Sequence, residues 1–259
     1  MNLGLEGKSA LVCAASKGLG RACAESLARE GVRITIVARD PAALELAAAR
    51  LRGLSKAPVA CISADIATAH GVARVLDAMP DPDILVTNGG GPSPGSFLEV
   101  DADDWRRAIE SNMISPITLI RAVTPGMVTR EFGRIVNITS AAVKMPIAGL
   151  ALSNGARTGL TGAVAALARS VSRHNVTINN ILPGMFDTDR QLSTLLELAQ
   201  ARGITLDALK QERARGLPAM RMGQPSELGD LCAFLCSAGA GYITGQNLLI
   251  DGGLFPGML

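Results

Sequence analysis

Short apolar runs alternate with longer helical stretches along almost the whole chain. Stretches with a helical pattern begin near Leu19, Asp40-Pro41 and His70, and cover about 102–129 and 152–172. Strands separated in this way by helices form parallel βαβ units. The pattern predicts a single α/β domain over 1–259, built on a doubly wound parallel sheet. Its seven predicted strands are SALVCAA, VRITIVA, PVACISA, DILVTN, GRIVNITS, VTINNIL and GQNLLIDGG.

One helical insertion interrupts this rhythm after the sixth strand. Between Pro183-Gly184 and Gln224-Pro225 the pattern is helical, without a strand. An insertion here commonly forms a lid over a site, and Gly203 and Gly216 would punctuate it. We therefore expect a substrate lid at about 185–222. The alternative is a pair of helices packed permanently on the surface.

Charge and cysteine usage exclude several function classes. The net charge is only +2 and the 25 basic residues are scattered, so we expect no binding to nucleic acid or to a membrane surface. No leader pattern and no apolar run of about 18 residues occurs, so a cytoplasmic protein is expected. We expect buried free thiols and no metal site, because nothing completes a ligand set around Cys232 and Cys236. The five cysteines are Cys13, Cys23, Cys61, Cys232 and Cys236.

The turn after the first strand has features of a nucleotide-binding loop. Its sequence, Ala14-Ala15-Ser16-Lys17-Gly18-Leu19-Gly20, leads directly into the helical stretch RACAESLARE. Glycines let backbone N–H groups approach a pyrophosphate, and the helix N-terminus adds partial positive charge. Taken alone, two glycines serve a tight turn equally well.

The chain as a whole resembles the short-chain dehydrogenases/reductases. The glycine turn is similar to the family's TGxxxGxG, with Cys13 and Ala14 in place of the Thr and the first Gly. Further matches follow in order through Asp65-Ile66, Thr87-Asn88-Gly89-Gly90, the active-site Asn at Asn112, and Asn137-Ile138-Thr139-Ser140, which ends in the catalytic Ser. They continue through Asn179, Pro183-Gly184 and Thr188 to Tyr242-Ile243-Thr244-Gly245-Gln246 and Asp251-Gly252-Gly253.

The chain resembles 3-oxoacyl-ACP reductase-like members of this family, and the resemblance implies a Rossmann-type fold and a nicotinamide dinucleotide cofactor. NAD enzymes of this fold carry an acid after the second strand, whereas NADP enzymes carry cations there. Ala38 stands at the acid position, and Arg39 and Lys17 supply cations, so we expect NADP(H) rather than NAD(H). Asp40 is a rival acid, although an Asp directly before Pro41 is typical of a helix N-cap. The implied cofactor-binding residues are Ala14, Ser16, Lys17, Gly18, Leu19, Gly20, Arg39, Asp65, Ile66, Asn88, Gly89, Gly90, Arg157, Pro183, Gly184 and Thr188.

The catalytic end departs from the family pattern. The family's Tyr lies 13 residues after the Ser and its Lys four further on, but here these positions hold Ser153 and Arg157. The one tyrosine, Tyr242, belongs to the C-terminal signature. A serine hydroxyl is a weaker acid than a phenol, and an arginine stays protonated. Lys144 is a candidate replacement donor, or else an exposed loop lysine.

Two functions are compatible with these residues. The first is an NADP(H)-dependent reductase of a small or acyl-chain carbonyl, or the reverse alcohol oxidation. Ser140 would polarise the carbonyl, Asn112 would organise a water relay, and Ser153, Lys144 or water would supply the proton. The second is a catalytically silent NADP(H)-binding sensor or partner subunit. For either function the resemblance implies a homo-oligomer, a tetramer or else a dimer, formed through helices 102–129 and 152–172 and the last strand.

Overall fold

The computed structural model describes residues 2–257 and contains one sheet of seven parallel strands. The sheet order is β3-β2-β1-β4-β5-β6-β7. The order reverses direction between β1 and β4, which is where open α/β sheets bind their ligands. The predicted sheet is therefore confirmed. The strands are β1 (Ser9–Cys13), β2 (Arg33–Ala38), β3 (Val59–Ser63), β4 (Ile84–Thr87), β5 (Gly133–Ile138), β6 (Val176–Pro183) and β7 (Asn247–Ile250).

Nine α-helices cover the sheet and form the insertion in the described part of the chain. Asp40 begins α2, because its carboxylate accepts hydrogen bonds from the N–H groups of Ala42 and Ala43, with Pro41 at the first helical position. The helix start predicted from Asp40-Pro41 is thus confirmed. The helices are α1 (Gly18–Arg29), α2 (Pro41–Arg52), α3 (Ala69–Ala78), α4 (Ala102–Ile109), α5 (Ser115–Thr129), α6 (Ala151–Val171), α7 (Asp189–Arg202), α8 (Leu206–Arg215) and α9 (Pro225–Cys236).

The helix predicted over 102–129 is not a uniform α-helix. A π-helical segment, Glu110–Ile114, joins α4 to α5 and contains Asn112. Short π-helical segments widen a helix locally and often lie at functional sites. Helical periodicity in the sequence does not distinguish this segment from the α-helical turns around it.

Helices pack on both faces of the sheet and form two apolar cores. One core contains Leu27 of α1, Leu44 of α2 and Leu228 of α9, and the other contains Leu119 of α5 and Leu160 of α6. Strands β1, β4 and β5 are buried along their whole length, as in a parallel sheet covered on both sides.

The insertion after β6 consists of α7 and α8 and has a small core of its own. Gly203, in the left-handed conformation, and Gly216 end these two helices, as predicted. The insertion's stems are held together, since Gly223 N–H donates to Met185 O at 2.9 Å. The residues of its core are Leu195, Ala199, Leu209, Leu217 and Met222.

A row of polar side chains, mostly buried, ties four neighbouring strands together. Thr87 Oγ1 donates to Asn137 Oδ1 at 2.6 Å, and Asn137 Nδ2 donates to Asn180 Oδ1 at 2.8 Å. Asn180 Nδ2 then donates to Asn247 Oδ1 at 2.8 Å. Each bond joins residues paired in register on neighbouring strands from β4 to β7. Satisfied hydrogen-bond networks of this kind rigidify a core, so strands β4 to β7 are held in a fixed position relative to one another.

The five cysteines are free thiols, and four are buried as predicted. Cys61 departs from the prediction, since it lies partly exposed on β3, which is an edge strand of the sheet. Residues 2–257 bring together no group of three His, Cys, Asp or Glu side chains that could hold a metal ion. Of the helices described, none combines the length and apolarity that crossing a bilayer requires.

Candidate nucleotide-binding and catalytic site

The turn after β1 packs tightly against the start of α1 and the end of β4. A Cβ at Gly20 would lie 2.5 Å from Ala14 O and 2.8 Å from Asn88 Nδ2, so a side chain cannot be accommodated there. Asn88 Nδ2 also makes a long hydrogen bond of 3.5 Å to Ala14 O, which links the turn to the end of β4. The sequence places glycine where helix α1 meets the turn, in the manner of dinucleotide-binding loops.

A cleft of about 720 Å³ opens at the carboxyl ends of β1 to β4. This volume is within the range of about 300–1,000 Å³ that is usual for small-molecule sites. Of the predicted cofactor residues, eight line it: Ala14, Ser16, Lys17, Arg39, Asp65, Ile66, Gly89 and Gly90.

Two unpaired cations stand at the β1–β2 end of this cleft. Lys17 and Arg39 are both exposed, and neither forms an ion pair within residues 2–257. Asp40 also lines the cleft, but its carboxylate is already bonded to the first turn of α2. The free charge at this end is therefore positive, which suits a phosphate better than a ribose hydroxyl.

Asn112 and Arg157 meet at a second, much smaller cavity. This cavity of about 10 Å³ is also lined by Asn88, Gly89 and Ser111. Such a volume is close to the minimum for a single water molecule. Asn112 is buried, and its Nδ2 donates to Ser111 Oγ at 2.8 Å and to Ala108 O at 3.3 Å.

Arg157 points towards the end of β5. Its Nη1 donates to Ile138 O at 3.1 Å and to Thr139 O. Its Nε is buried without a hydrogen-bond partner among the described residues. Burial, and secondarily the charge of Arg190, lowers the pKa of the Arg157 guanidinium to about 10. The group therefore remains a cation at neutral pH, attached to the two carbonyls that precede Ser140.

The remaining predicted catalytic residues are less closely grouped. Ser140 is partly exposed, and its Oγ accepts a hydrogen bond from Ala142 N at 3.1 Å. Ser153 is buried on α6, one turn before Arg157. Lys144 is partly exposed and lines neither described cavity. Tyr242 is fully exposed and precedes β7, so it lies at the amino ends of the strands, opposite the cleft.

The segment that follows β6 contacts both the glycine turn after β1 and the loop after β4. A Cβ at Gly18 would lie 3.9 Å from Thr188, which caps α7. Arg190 Nη2 donates to Gly91 O at 3.0 Å and to Pro92 O at 3.3 Å. Arg190 was not among the predicted site residues, and the one sequence signal for it is its position two residues after Thr188. As described, the predicted residues Gly18, Leu19, Gly20, Asn88, Arg157, Pro183, Gly184 and Thr188 lie outside the walls of the large cleft.

Known proteins are similar to this chain in both sequence and fold. Residues 13–255 match the family model described as Enoyl-(Acyl carrier protein) reductase. The 3-oxoacyl-[acyl-carrier-protein] reductase FabG of Vibrio cholerae is 32% identical over 257 residues, covering 98% of this chain and 99% of that protein.

Two solved structures extend the comparison. L-Sorbose reductase from Gluconobacter frateurii, complexed with NADPH and L-sorbose, superposes with a TM-score of 0.95 at 31% identity, covering 100% of both chains. YwfH, an NADPH dependent reductase involved in bacilysin biosynthesis, gives a TM-score of 0.90 at 27% identity, covering 97% of this chain and 99% of that one. With the glycine turn, the cleft and the seven-stranded sheet, these similarities show that the chain belongs to the short-chain dehydrogenase/reductase superfamily.

Proposed function

We propose that this protein is an NADP(H)-dependent oxidoreductase that reduces a ketone, of small-molecule or 3-oxoacyl type, or oxidises the matching alcohol. The observation that carries the proposal is the position of Gly89. It lines both the cleft that holds Lys17 and Arg39 and the small cavity that holds Asn112 and Arg157. A nucleotide held by the cations thus extends towards the polar residues of the second cavity.

The cofactor, when bound, supplies or accepts a hydride. Lys17 and Arg39 would bind the 2′-phosphate, Asp65 and Ile66 would flank the adenine, and the backbone around Gly18 would face the pyrophosphate. Ser140 would donate a hydrogen bond to the substrate carbonyl oxygen. Asn112 would hold one water molecule in the small cavity, where the unpaired Nε of Arg157 is a further donor.

The proton donor is the atypical part of the proposal. Arg157 remains protonated and its Nη1 is bonded to two carbonyls, so it does not pass on a proton. The candidates are therefore Ser153, Lys144 and water. The same arrangement supports the second function, a silent NADP(H)-binding sensor or partner subunit, because a guanidinium fixed in this way suits binding better than proton transfer.

Incubation of the protein with NADPH and a panel of ketones, aldehydes and 3-oxoacyl thioesters tests the proposal. Loss of NADPH absorbance in proportion to enzyme concentration is the expected result. The alternative function predicts binding of NADPH without its consumption.

We expect NADPH to bind more tightly than NADH, with Arg39 as a main cause. A hydrogen bond to a charged group contributes about 1.5–3 kcal/mol, so Arg39→Ala is expected to weaken NADPH binding by roughly 10- to 100-fold. NADH binding should be unaffected. Arg33→Ala, at the exposed opposite end of β2, is the matched control. Calorimetric titrations that give equal affinities for the two cofactors, or a higher affinity for NADH, would contradict this expectation. They would indicate that Asp40 binds the ribose hydroxyl of NADH.

We further expect a homo-oligomer, a tetramer or else a dimer. The proposal rests on family resemblance, in which the long helices corresponding to α4–α5 and α6 pair between subunits and the last strand joins further copies. Light scattering at micromolar concentration should give a mass of four or two chains of 26.8 kDa. A stable monomer would refute this expectation.

A further inference from the structure

The insertion after β6 contacts the opposite wall of the site through one arginine. Arg190, in the first turn of α7, donates from Nη2 to the carbonyl oxygens of Gly91 and Pro92, at 3.0 and 3.3 Å. Gly91 and Pro92 belong to the loop after β4 and line the large cleft. The contact therefore joins two segments that are about 100 residues apart in the chain, across the mouth of the site.

Gly91 is the residue that lets the guanidinium approach. A Cβ at this position would lie 2.8 Å from Nη1 and 3.3 Å from Nη2 of Arg190. The backbone of Gly91 does not adopt a positive φ, so alanine is compatible with its conformation. A side chain at this position would therefore push against the guanidinium of Arg190 and not against the loop itself.

Arg190 has no competing partner within residues 2–257. It forms no ion pair there, whereas Arg202 at the other end of α7 is bonded to Glu212 of α8 at 2.9 and 3.0 Å. Helices α7 and α8 pack around their own core, separate from the two cores of the sheet. The insertion is joined to the rest of the domain at its stems near Met185 and Gly223 and through Ala219 N–H, which donates to Gly252 O at 3.0 Å. Arg190 adds a separate contact, with the loop after β4.

We propose that Arg190 is a positioning residue that holds the insertion against the loop after β4 and so retains the nicotinamide end of the bound nucleotide. This inference rests on the proposed nucleotide binding. Thr188 lies beside Gly18 of the glycine turn, and Arg190 reaches Gly91. The short segment between them spans the site from β1 to β4, so the nucleotide leaves only when this contact opens.

The test compares five variants by stopped-flow displacement of NADPH. Arg190→Met is expected to raise the NADPH dissociation rate about 10-fold, as the loss of charge-assisted hydrogen bonds predicts. Gly91→Ala should give a similar increase, because its Cβ displaces the guanidinium. The double variant should be no faster than either single one, since both remove the same contact. Arg190→Lys should restore part of the retention, and Arg202→Met should match wild type.

Hydrogen exchange on the cofactor-free protein gives a readout that does not depend on nucleotide binding. Arg190→Met should speed exchange of the α7 amides from Leu192 to Leu195, with an unchanged melting temperature. Unchanged exchange in this variant would overturn the inference, as would unchanged dissociation or multiplying effects of Arg190→Met and Gly91→Ala. If NADPH does not bind at all, the proposed function fails, and the exchange result alone decides whether the contact holds the insertion.

Discussion

Replacing Ser153 with tyrosine and Arg157 with lysine in one chain is expected to raise kcat/KM on simple ketones by about 10²- to 10⁴-fold. This is the usual contribution of a positioned general acid. The two positions lie one turn apart on the same face of α6 and are both buried, and Arg157 lines the small cavity. A phenol is a stronger acid than a serine hydroxyl, and a neighbouring ammonium favours the phenolate, which lowers the pKa further.

Two further variants make this result interpretable. Ser170→Tyr adds a phenol to an exposed position of the same helix and should change nothing. Lys144→Ala, in the wild-type background, should lower turnover without affecting NADPH affinity if Lys144 is the donor. If the double variant shows no gain in activity on any carbonyl while its NADPH affinity is unchanged, the geometry of the cleft differs from that of active family members. The second function, NADP(H) binding without turnover, would then be favoured. If Arg157 instead binds an unusual substrate of the wild-type protein, the double change should abolish activity on that substrate.

Ser140→Ala is expected to lower kcat by about 10²- to 10³-fold, which is the usual effect of removing a hydrogen-bond donor to a developing oxyanion. The affinity for NADPH should stay the same, because Ser140 does not line the nucleotide cleft. The fold should also be retained, since Oγ makes one hydrogen bond, to Ala142 N. Steady-state kinetics and calorimetry measure both effects.

Ser170→Ala is the control for this change, as Ser170 is exposed and its hydroxyl bonds to its own helix. An equal loss of activity in the two variants would contradict a role for Ser140 at the carbonyl. A parallel loss of NADPH binding in Ser140→Ala would instead indicate a disturbed loop after β5.

Much of the fold could be predicted from the sequence because its signals are local. Apolar runs between turns located the strands, and Asp40-Pro41 located the start of α2, where the carboxylate accepts hydrogen bonds from two N–H groups. Lys17 and Arg39 could be assigned to the cleft because each lies within a few residues of the end of a predicted strand, β1 or β2. These features depend on neighbouring residues, so the pattern contains the information needed to predict them.

The contacts that sequence reasoning missed are long-range. Arg190 reaches Gly91 and Pro92 only because the sheet brings the ends of β4 and β6 to one edge. The family resemblance implies only that Arg157 binds the cofactor, and the sequence does not indicate that its Nη1 donates to the carbonyl oxygens of Ile138 and Thr139. An arginine's length and several rotatable bonds allow either direction, and only the surrounding packing selects one.

As an NADP(H)-dependent oxidoreductase, this chain transfers a hydride although Ser153 and Arg157 occupy the positions of the family's Tyr and Lys. Single-turnover mixing of the NADPH-loaded protein with the carbonyl panel tests it most directly. We expect NADPH absorbance to fall by one equivalent per site with at least one carbonyl, and Ser140→Ala to slow this step. Saturated NADPH binding without any loss of absorbance across ketones, aldehydes and 3-oxoacyl thioesters would contradict it.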